Sequence, residues 1–155
     1  MMININVDSI FEIAEQMERD GARFYRNAAR DADENKRSLL MTLATMEYNH
    51  ERTFAAMRAE FTKGKLQPLT PPPHSQGALY LQAAVDGNIF GKESSPELTG
   101  RESIDSIFDI AIGLEKDSIV FYQSMKSILP PGEAWNQLDE IIDQEIGHIL
   151  ELTRN

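Results

Sequence analysis

The stretch "TLATMEYNHERTF" (residues 42–54) sets Glu47 and His50 three positions apart on a segment whose recurring positions Leu43, Met46, Phe54 and Met57 are apolar. Apolar residues at steps of three and four mark one face of an α-helix. Residues three apart on a helix are separated by about 60° around the axis and about 4.5 Å along it, so this carboxylate and imidazole can converge on one point. A buried carboxylate needs a partner, because removing it from water costs on the order of several kcal/mol.

The rest of the chain supplies a counterpart. "SIFEIAEQMERDGARFY" (9–25) aligns without gaps with "SIFDIAIGLEKDSIVFY" (106–122), with nine identical positions, and "EYNH" (47–50) recurs as "EIGH" (145–148) at nearly the same offset. The chain therefore reads as two copies of one helical hairpin. The first spans 9–62, with helices over 9–31 and 35–61; the second spans 104–153, with helices over 104–129 and 133–153. "SIFE" at Ser9 to Glu12 has the form of a capping box, Gly64 lies just past the second helix, and Pro130-Pro131-Gly132 ends the third. Between the hairpins, "KLQPLTPPPHSQG" (65–77) cannot be regular helix, because its prolines lack donors and disfavour helical geometry in the residues before them. "ALYLQAAV" (78–85), stopped by Asp86-Gly87, predicts a short helix, and "GKESSPELTGRES" (91–103) predicts irregular loop. The expected architecture is all-α: one domain over 1–155, a four-helix bundle with a long crossover (62–103) between its second and third helices.

Composition narrows the partners. Fifteen Lys+Arg against twenty-five Asp+Glu leave a net charge of −10, which argues against nucleic-acid backbones and anionic membrane surfaces. The chain has no cysteine, so disulfides, thiolate metal sites and thiol chemistry are excluded, and a metal would be held by oxygen and nitrogen. With no apolar run of about 18 residues and no basic-then-apolar start, the expected location is the cytoplasm.

The repeat equates Glu18 with Glu115, each set among apolar helix positions, which adds one inward carboxylate from each remaining helix. One Glu-x-x-His in an acid-rich chain arises easily by chance. Two of the three histidines carrying it at repeat-equivalent positions point instead to one site built from Glu18, Glu47, His50, Glu115, Glu145 and His148. Two divalent ions would neutralise the four glutamates and stabilise the fold. One Glu from each of two helices and Glu-x-x-His from each of the other two is the pattern of di-iron or di-manganese carboxylate bundles. Carboxylate and imidazole together do not choose among iron, manganese and zinc.

Through "EQMERDGARFY", "MEYNHE", "GLEKDSIVFY" and "DQEIGH" the chain resembles the ferritin-like superfamily, especially its rubrerythrin-related branch, over all four helices but not the crossover. The resemblance implies a ferritin-like bundle holding two iron ions, with Glu47 and Glu145 as bridges. It further implies a non-haem oxidoreductase acting on H2O2 or O2 as peroxidase or ferroxidase, and a homodimer. The chain departs from full-length rubrerythrins in lacking their four-cysteine rubredoxin domain, so an external electron donor is expected. Ser118 stands where rubrerythrins carry a further glutamate, which makes the six-residue set look more like the ferroxidase centre of bacterioferritins. Those proteins bind haem through a Met just after the second-helix Glu; Tyr48 occupies that position, and no haem is expected. The alternatives are iron storage in a hollow assembly, or a metal that only holds the bundle together.

Tyr25 and Tyr122, two turns after Glu18 and Glu115, are placed to donate hydrogen bonds to ligand carboxylates across the bundle, although half-buried tyrosines are equally expected there. Glu15, Glu51 and Glu151 read as solvated or bundle-end carboxylates, Asp20 and Asp117 as a solvated face, and His74 as exposed. Met17, Met46, Met57 and Met125 read as core filling.

Overall fold

The computed structural model describes residues 5–90 and 96–154, so residues 91–95 of the expected irregular loop lie outside the described residues. Five helices follow in order: α1 Val7–Ala29, α2 Glu34–Thr62, α3 Gln76–Val85, α4 Ile104–Met125 and α5 Glu133–Arg154. Among the described residues there is no strand. Helices α1 with α2 and α4 with α5 form the two hairpins, and they pack together as a four-helix bundle with α3 laid against α4 and α1.

The helix ends differ from expectation in ways the caps explain. The first helix starts at Val7 rather than at residue 9, because Asn6 is its cap and accepts from the Ser9 amide at 3.3 Å. The box read at Ser9 to Glu12 lies inside the helix, and Glu12 faces outward, 3.7 Å from Arg58. Asp33 caps α2 by accepting from the Lys36 amide at 2.9 Å, and Arg37 reaches back to the Ala29 and Ala32 carbonyls, so α1 stops at Ala29 instead of 31. The third bundle helix ends at Met125 instead of 129. The amides of Lys126, Ser127 and Ile128 bond three residues back, tightening the chain so that Ile128 and Leu129 fold beneath the bundle end. The Trp135 indole donates to the Leu129 carbonyl at 2.7 Å and fixes this turn.

Two apolar clusters fill the bundle, one at each end. Ile10, Phe11, Ala14, Phe54, Phe121, Met125 and Leu138 belong to the first; Phe24, Leu40, Leu43, Phe108, Ala111 and Leu152 belong to the second. Along every long helix, the buried polar residues fall between the two sets. The fold thus holds a polar layer at mid-height with apolar packing above and below it.

The crossover closes the first cluster. Ser75 caps α3, whose Ala78 and Leu81 are fully buried, and the Leu69 amide donates to the Ile128 carbonyl at 2.8 Å. A side chain at Gly77 would stand 3.2 Å from the Ser127 hydroxyl and 3.3 Å from the Ser124 carbonyl, so only glycine lets α3 approach α4 this closely. Truncating Leu81 to Ala removes the plug this short helix inserts. The expected cost is about 2–5 kcal/mol, a drop in Tm of roughly 4–20 °C for a chain of this size, measured by thermal unfolding of the metal-free protein.

Candidate metal centre

Each long helix contributes its polar residues near its middle: Glu18 from α1, Glu47 and His50 from α2, Glu115 from α4, Glu145 and His148 from α5. Glu18 and Glu145 are fully buried, and the other four are 3 % exposed. Their donor atoms form two overlapping groups, Glu18, Glu47, His50 and Glu145, and Glu47, Glu115, Glu145 and His148, with the atoms of each group within 4.8 Å of one another. Glu47 and Glu145 belong to both groups and therefore lie between the two candidate ion positions. The imidazoles of His50 and His148 face each other nearly parallel, 5.9 Å apart and inclined by 19°.

The two hairpins exchange hydrogen bonds at this level. The Tyr25 hydroxyl donates to Glu115 Oε1 and the Tyr122 hydroxyl donates to Glu18 Oε1, each at 2.5 Å. Burial first, and then the surrounding carboxylates, push both phenols well above their ordinary pKa, so each stays protonated and can only donate to its carboxylate. Repeat-equivalent tyrosines fix repeat-equivalent glutamates from opposite sides.

The remaining donor atoms face one another without satisfying one another. His50 Nδ1 lies 2.6 Å from Glu145 Oε1 and 3.5 Å from Glu18 Oε2, close enough for ion pairing. Yet His50 Nδ1, Glu18 Oε2, Glu115 Oε2 and both Glu145 oxygens have no aligned hydrogen-bond partner among the described residues. Buried polar atoms are normally hydrogen-bonded. Lone pairs converging on a shared point, on carboxylates and an imidazole, fit a divalent cation at that point, and the six residues fit two.

The electrostatics without cations show the same demand. Burial, followed by repulsion from Glu18 and Glu115, raises Glu47 and Glu145 well above the ordinary carboxylate value. Burial also opposes ionisation of Glu115, but the neighbouring Glu145, His148 and Tyr25 outweigh it and hold this carboxyl at about 2. For His50, burial disfavours the imidazolium, while Glu18 and Gln144 outweigh it and raise the pKa.

The outer nitrogens of the two histidines meet different groups. His50 Nε2 lies 2.6 Å from Gln144 Oε1, and His148 Nε2 lies 3.4 Å from Met46 Sδ. Met46 is therefore half-buried against the His148 imidazole, not core filling as its spacing suggested. Gln144 drew no notice in the sequence, although it immediately precedes Glu145 as Met46 precedes Glu47, and the repeat alignment pairs the two positions.

Other acidic residues sort by their partners. Asp20, expected on a solvated face, is 3 % exposed and accepts from Gln16 at 2.8 Å and Arg23 at 3.0 Å, one turn before and after it on α1. Its repeat equivalent Asp117 is exposed. Glu15 is held by Arg58 at 2.8 Å, on the guanidinium that also grips Asp8 through two bonds. Glu51, expected at the surface, is partly covered and ion-paired to Arg19 at 2.8 Å. Glu151 and His74 are exposed.

A gap of about 40 Å³ opens beside the centre between α1 and α4, lined by Gly21, Tyr25, Glu47, Phe90, Glu115 and Ser118 among others. A Cβ on Gly21 would lie 3.2 Å from Glu47 Oε2, so glycine here lets the carboxylate lean against α1. Phe90, in the crossover shortly after α3, lines the gap and packs against Phe121.

The rubrerythrin family profile matches residues 2–58, that is α1 and most of α2. A crystal structure from Thermotoga maritima, of a protein proposed to be a ferritin-like diiron-carboxylate protein, superimposes with a TM-score of 0.67 at 23 % identity, covering 99 % of this chain and 93 % of the other. No curated protein matches the chain. The fold is the ferritin-like helical bundle, and the relation to rubrerythrins in sequence is carried by the first hairpin.

The raised carboxyls set a pH dependence with a definite sign. A glutamate whose folded pKa lies above its ordinary 4.5 is more protonated in the fold than in the unfolded chain, so stability falls as pH rises through that value. His50, also raised, acts in the same direction above its ordinary 6.5. The Tm of the metal-free protein should therefore fall between about pH 5 and pH 8, and divalent metal should abolish that fall. Calorimetric binding in buffers of different ionisation enthalpy should show protons released as metal enters.

Proposed function

We propose that this ferritin-like, rubrerythrin-related chain is a non-haem di-iron oxidoreductase that turns over H2O2 or O2, as a peroxidase or ferroxidase. The observation that carries the reading is the pair of four-residue groups sharing Glu47 and Glu145, with their converging lone pairs unpartnered. Glu18 and His50 would complete one iron position, and Glu115 and His148 the other. Bound there, two ferrous ions supply the two electrons that cleavage of a peroxide O–O bond consumes.

The chain's own part is positioning and access. Tyr25 and Tyr122 hold one oxygen of each terminal carboxylate, which leaves the second oxygen, Glu115 Oε2 or Glu18 Oε2, directed at the centre. The apolar clusters above and below keep bulk water from the layer, so charges within it interact more strongly than they would in solvent. The gap beside Ser118 suits the substrate proposed. A void needs roughly 10–15 Å³ to hold one water, so about 40 Å³ admits a two-oxygen molecule such as H2O2 or O2. Under the resemblance, the side chain that would fill this space in rubrerythrins is a glutamate; here it is the Ser118 hydroxyl, which bonds to the Leu114 carbonyl at 3.1 Å.

No described helix is long and apolar enough to cross a membrane. The proposed enzyme works as a cytoplasmic homodimer and, with no cysteine in the chain, takes electrons from a separate donor protein or from the iron it oxidises.

Stopped-flow absorbance of the iron-loaded protein mixed with H2O2, and separately with O2, tests the activity; oxidation no faster than that of free Fe²⁺ would sink the proposal. Glu47→Ala and His148→Ala should each lower the bound metal from two ions per chain and reduce Tm, and unchanged stoichiometry in both would remove the site. Ser118→Leu should keep both ions while slowing oxidation about tenfold or more, which corresponds to about 1.4 kcal/mol or more on the barrier.

A further inference from the structure

The two halves of the centre are equivalent in their ligands but not in what stands behind their histidines. Behind His50 lies Gln144, whose Oε1 is 2.6 Å from Nε2. An amide oxygen can only accept, so this contact suits a proton on Nε2 and turns Nδ1 toward the Glu18 and Glu145 side of the layer. There Nδ1 lies 2.6 Å from Glu145 Oε1 and 3.5 Å from Glu18 Oε2. Behind His148 lies Met46, a thioether 3.4 Å away and a weak acceptor. His148 Nδ1, like His50 Nδ1, faces carboxylates, 3.1 Å from Glu47 Oε1 and 3.3 Å from Glu115 Oε1. The two rings thus present the same nitrogen to the layer and differ in what stands behind the other.

Resting on the di-metal reading above, we infer that the two positions fill in order, the His50 position first and the His148 position second, and that residues 144 and 46 set the order. The His50 position is ready: an amide oxygen stands to hold the outer N–H of its imidazole and to fix the ring with Nδ1 toward the centre. At the His148 position only a thioether, a weak acceptor, stands to receive the outer N–H. Groups that hold the outer nitrogen of a ligand histidine typically change metal affinity by about 10–100-fold. The gap beside Ser118 is lined by Glu47 and Glu115, two ligands of the His148 position, so the weaker position also stands next to the opening. At limiting metal the chain carries one ion, and the second exchanges with the surroundings.

Because the two positions are repeat-equivalent, the residues can be exchanged. Anaerobic titration of the metal-free full chain with Co²⁺, followed by calorimetry and by the visible absorbance of the bound ion, should show two steps separated by about tenfold or more. His148→Ala should retain the tight step and His50→Ala only the weak one. Met46→Gln should tighten the weak step, Gln144→Met should loosen the tight one, and the double exchange should restore two separated steps with the histidine dependence reversed. Two equal constants in the native chain, or constants indifferent to both single exchanges, would overturn the inference while leaving the two-ion site intact. Absence of Co²⁺ binding altogether would instead remove the di-metal reading on which it rests.

Discussion

Four carboxylates enclosed in one layer of a helical bundle are the constraint on which the structure depends. Charges of one sign at such separations, out of contact with water, repel strongly in a medium that screens them poorly. Only protonation, donors or cations can relieve them, and the fold provides part of each. Glu47 and Glu145 are pushed toward their neutral forms, while Tyr25 and Tyr122 give one short bond each to Glu115 and Glu18. What these devices leave over is a set of lone pairs converging from all four helices. The apolar clusters on either side can tolerate this layer because each is closed by its own end of the bundle: the α1–α2 turn and the start of α4 at one end, the crossover helix and the Ile128–Leu129 turn at the other.

The repeat explains why the layer is nearly two-fold symmetric, and its breakdown shows where the halves have separate tasks. Tyr25 pairs with Tyr122, Glu18 with Glu115, Glu47 with Glu145 and His50 with His148. Gly21 pairs with Ser118, and the two small residues stand together at the gap, one admitting Glu47 and the other leaving room beside Glu115. Asp20 is buried by Gln16 and Arg23, whereas Asp117 stays exposed. The crossover belongs to one side only, and Phe90 brings it over the gap. Asymmetry is thus concentrated on the surface around the centre and behind the histidines, outside the set of six.

Much of this was legible in the sequence. The helices, the hairpin repeat, the crossover helix and all six inward residues follow from periodicity and internal alignment, because burial at a fixed helical register is a local property of the chain. Helix ends were less legible: Asn6 and Asp33 compete with neighbouring capping residues, and the early stop at Met125 comes from Ile128 and Leu129 turning under the bundle, a tertiary effect. The partners of polar residues were least legible. The Glu15 contact with Arg58 and the burial of Asp20 depend on how α1 is rotated against its neighbours, which apolar spacing alone does not specify, whereas the Asp20 bonds to Gln16 and Arg23 are local pairs within α1. Met46 shows the same limit, since its helical position is shared by core and by ligand support, and only the placement of α5 decides between them.

The placement of α5 is also what makes residues 46 and 144 matter. Each immediately precedes a glutamate shared by the two groups, so helix geometry turns its side chain about 100° away from that carboxylate and toward the neighbouring helix. There each meets the outer nitrogen of the histidine from the opposite hairpin: Gln144 of α5 reaches His50 of α2, and Met46 of α2 reaches His148 of α5. A helical hairpin that paired with an identical copy would support both histidines alike. Fusion of two copies into one chain frees the two positions to differ, and a glutamine on one side with a methionine on the other is the smallest change that can make one imidazole ready and the other reluctant without altering any ligand.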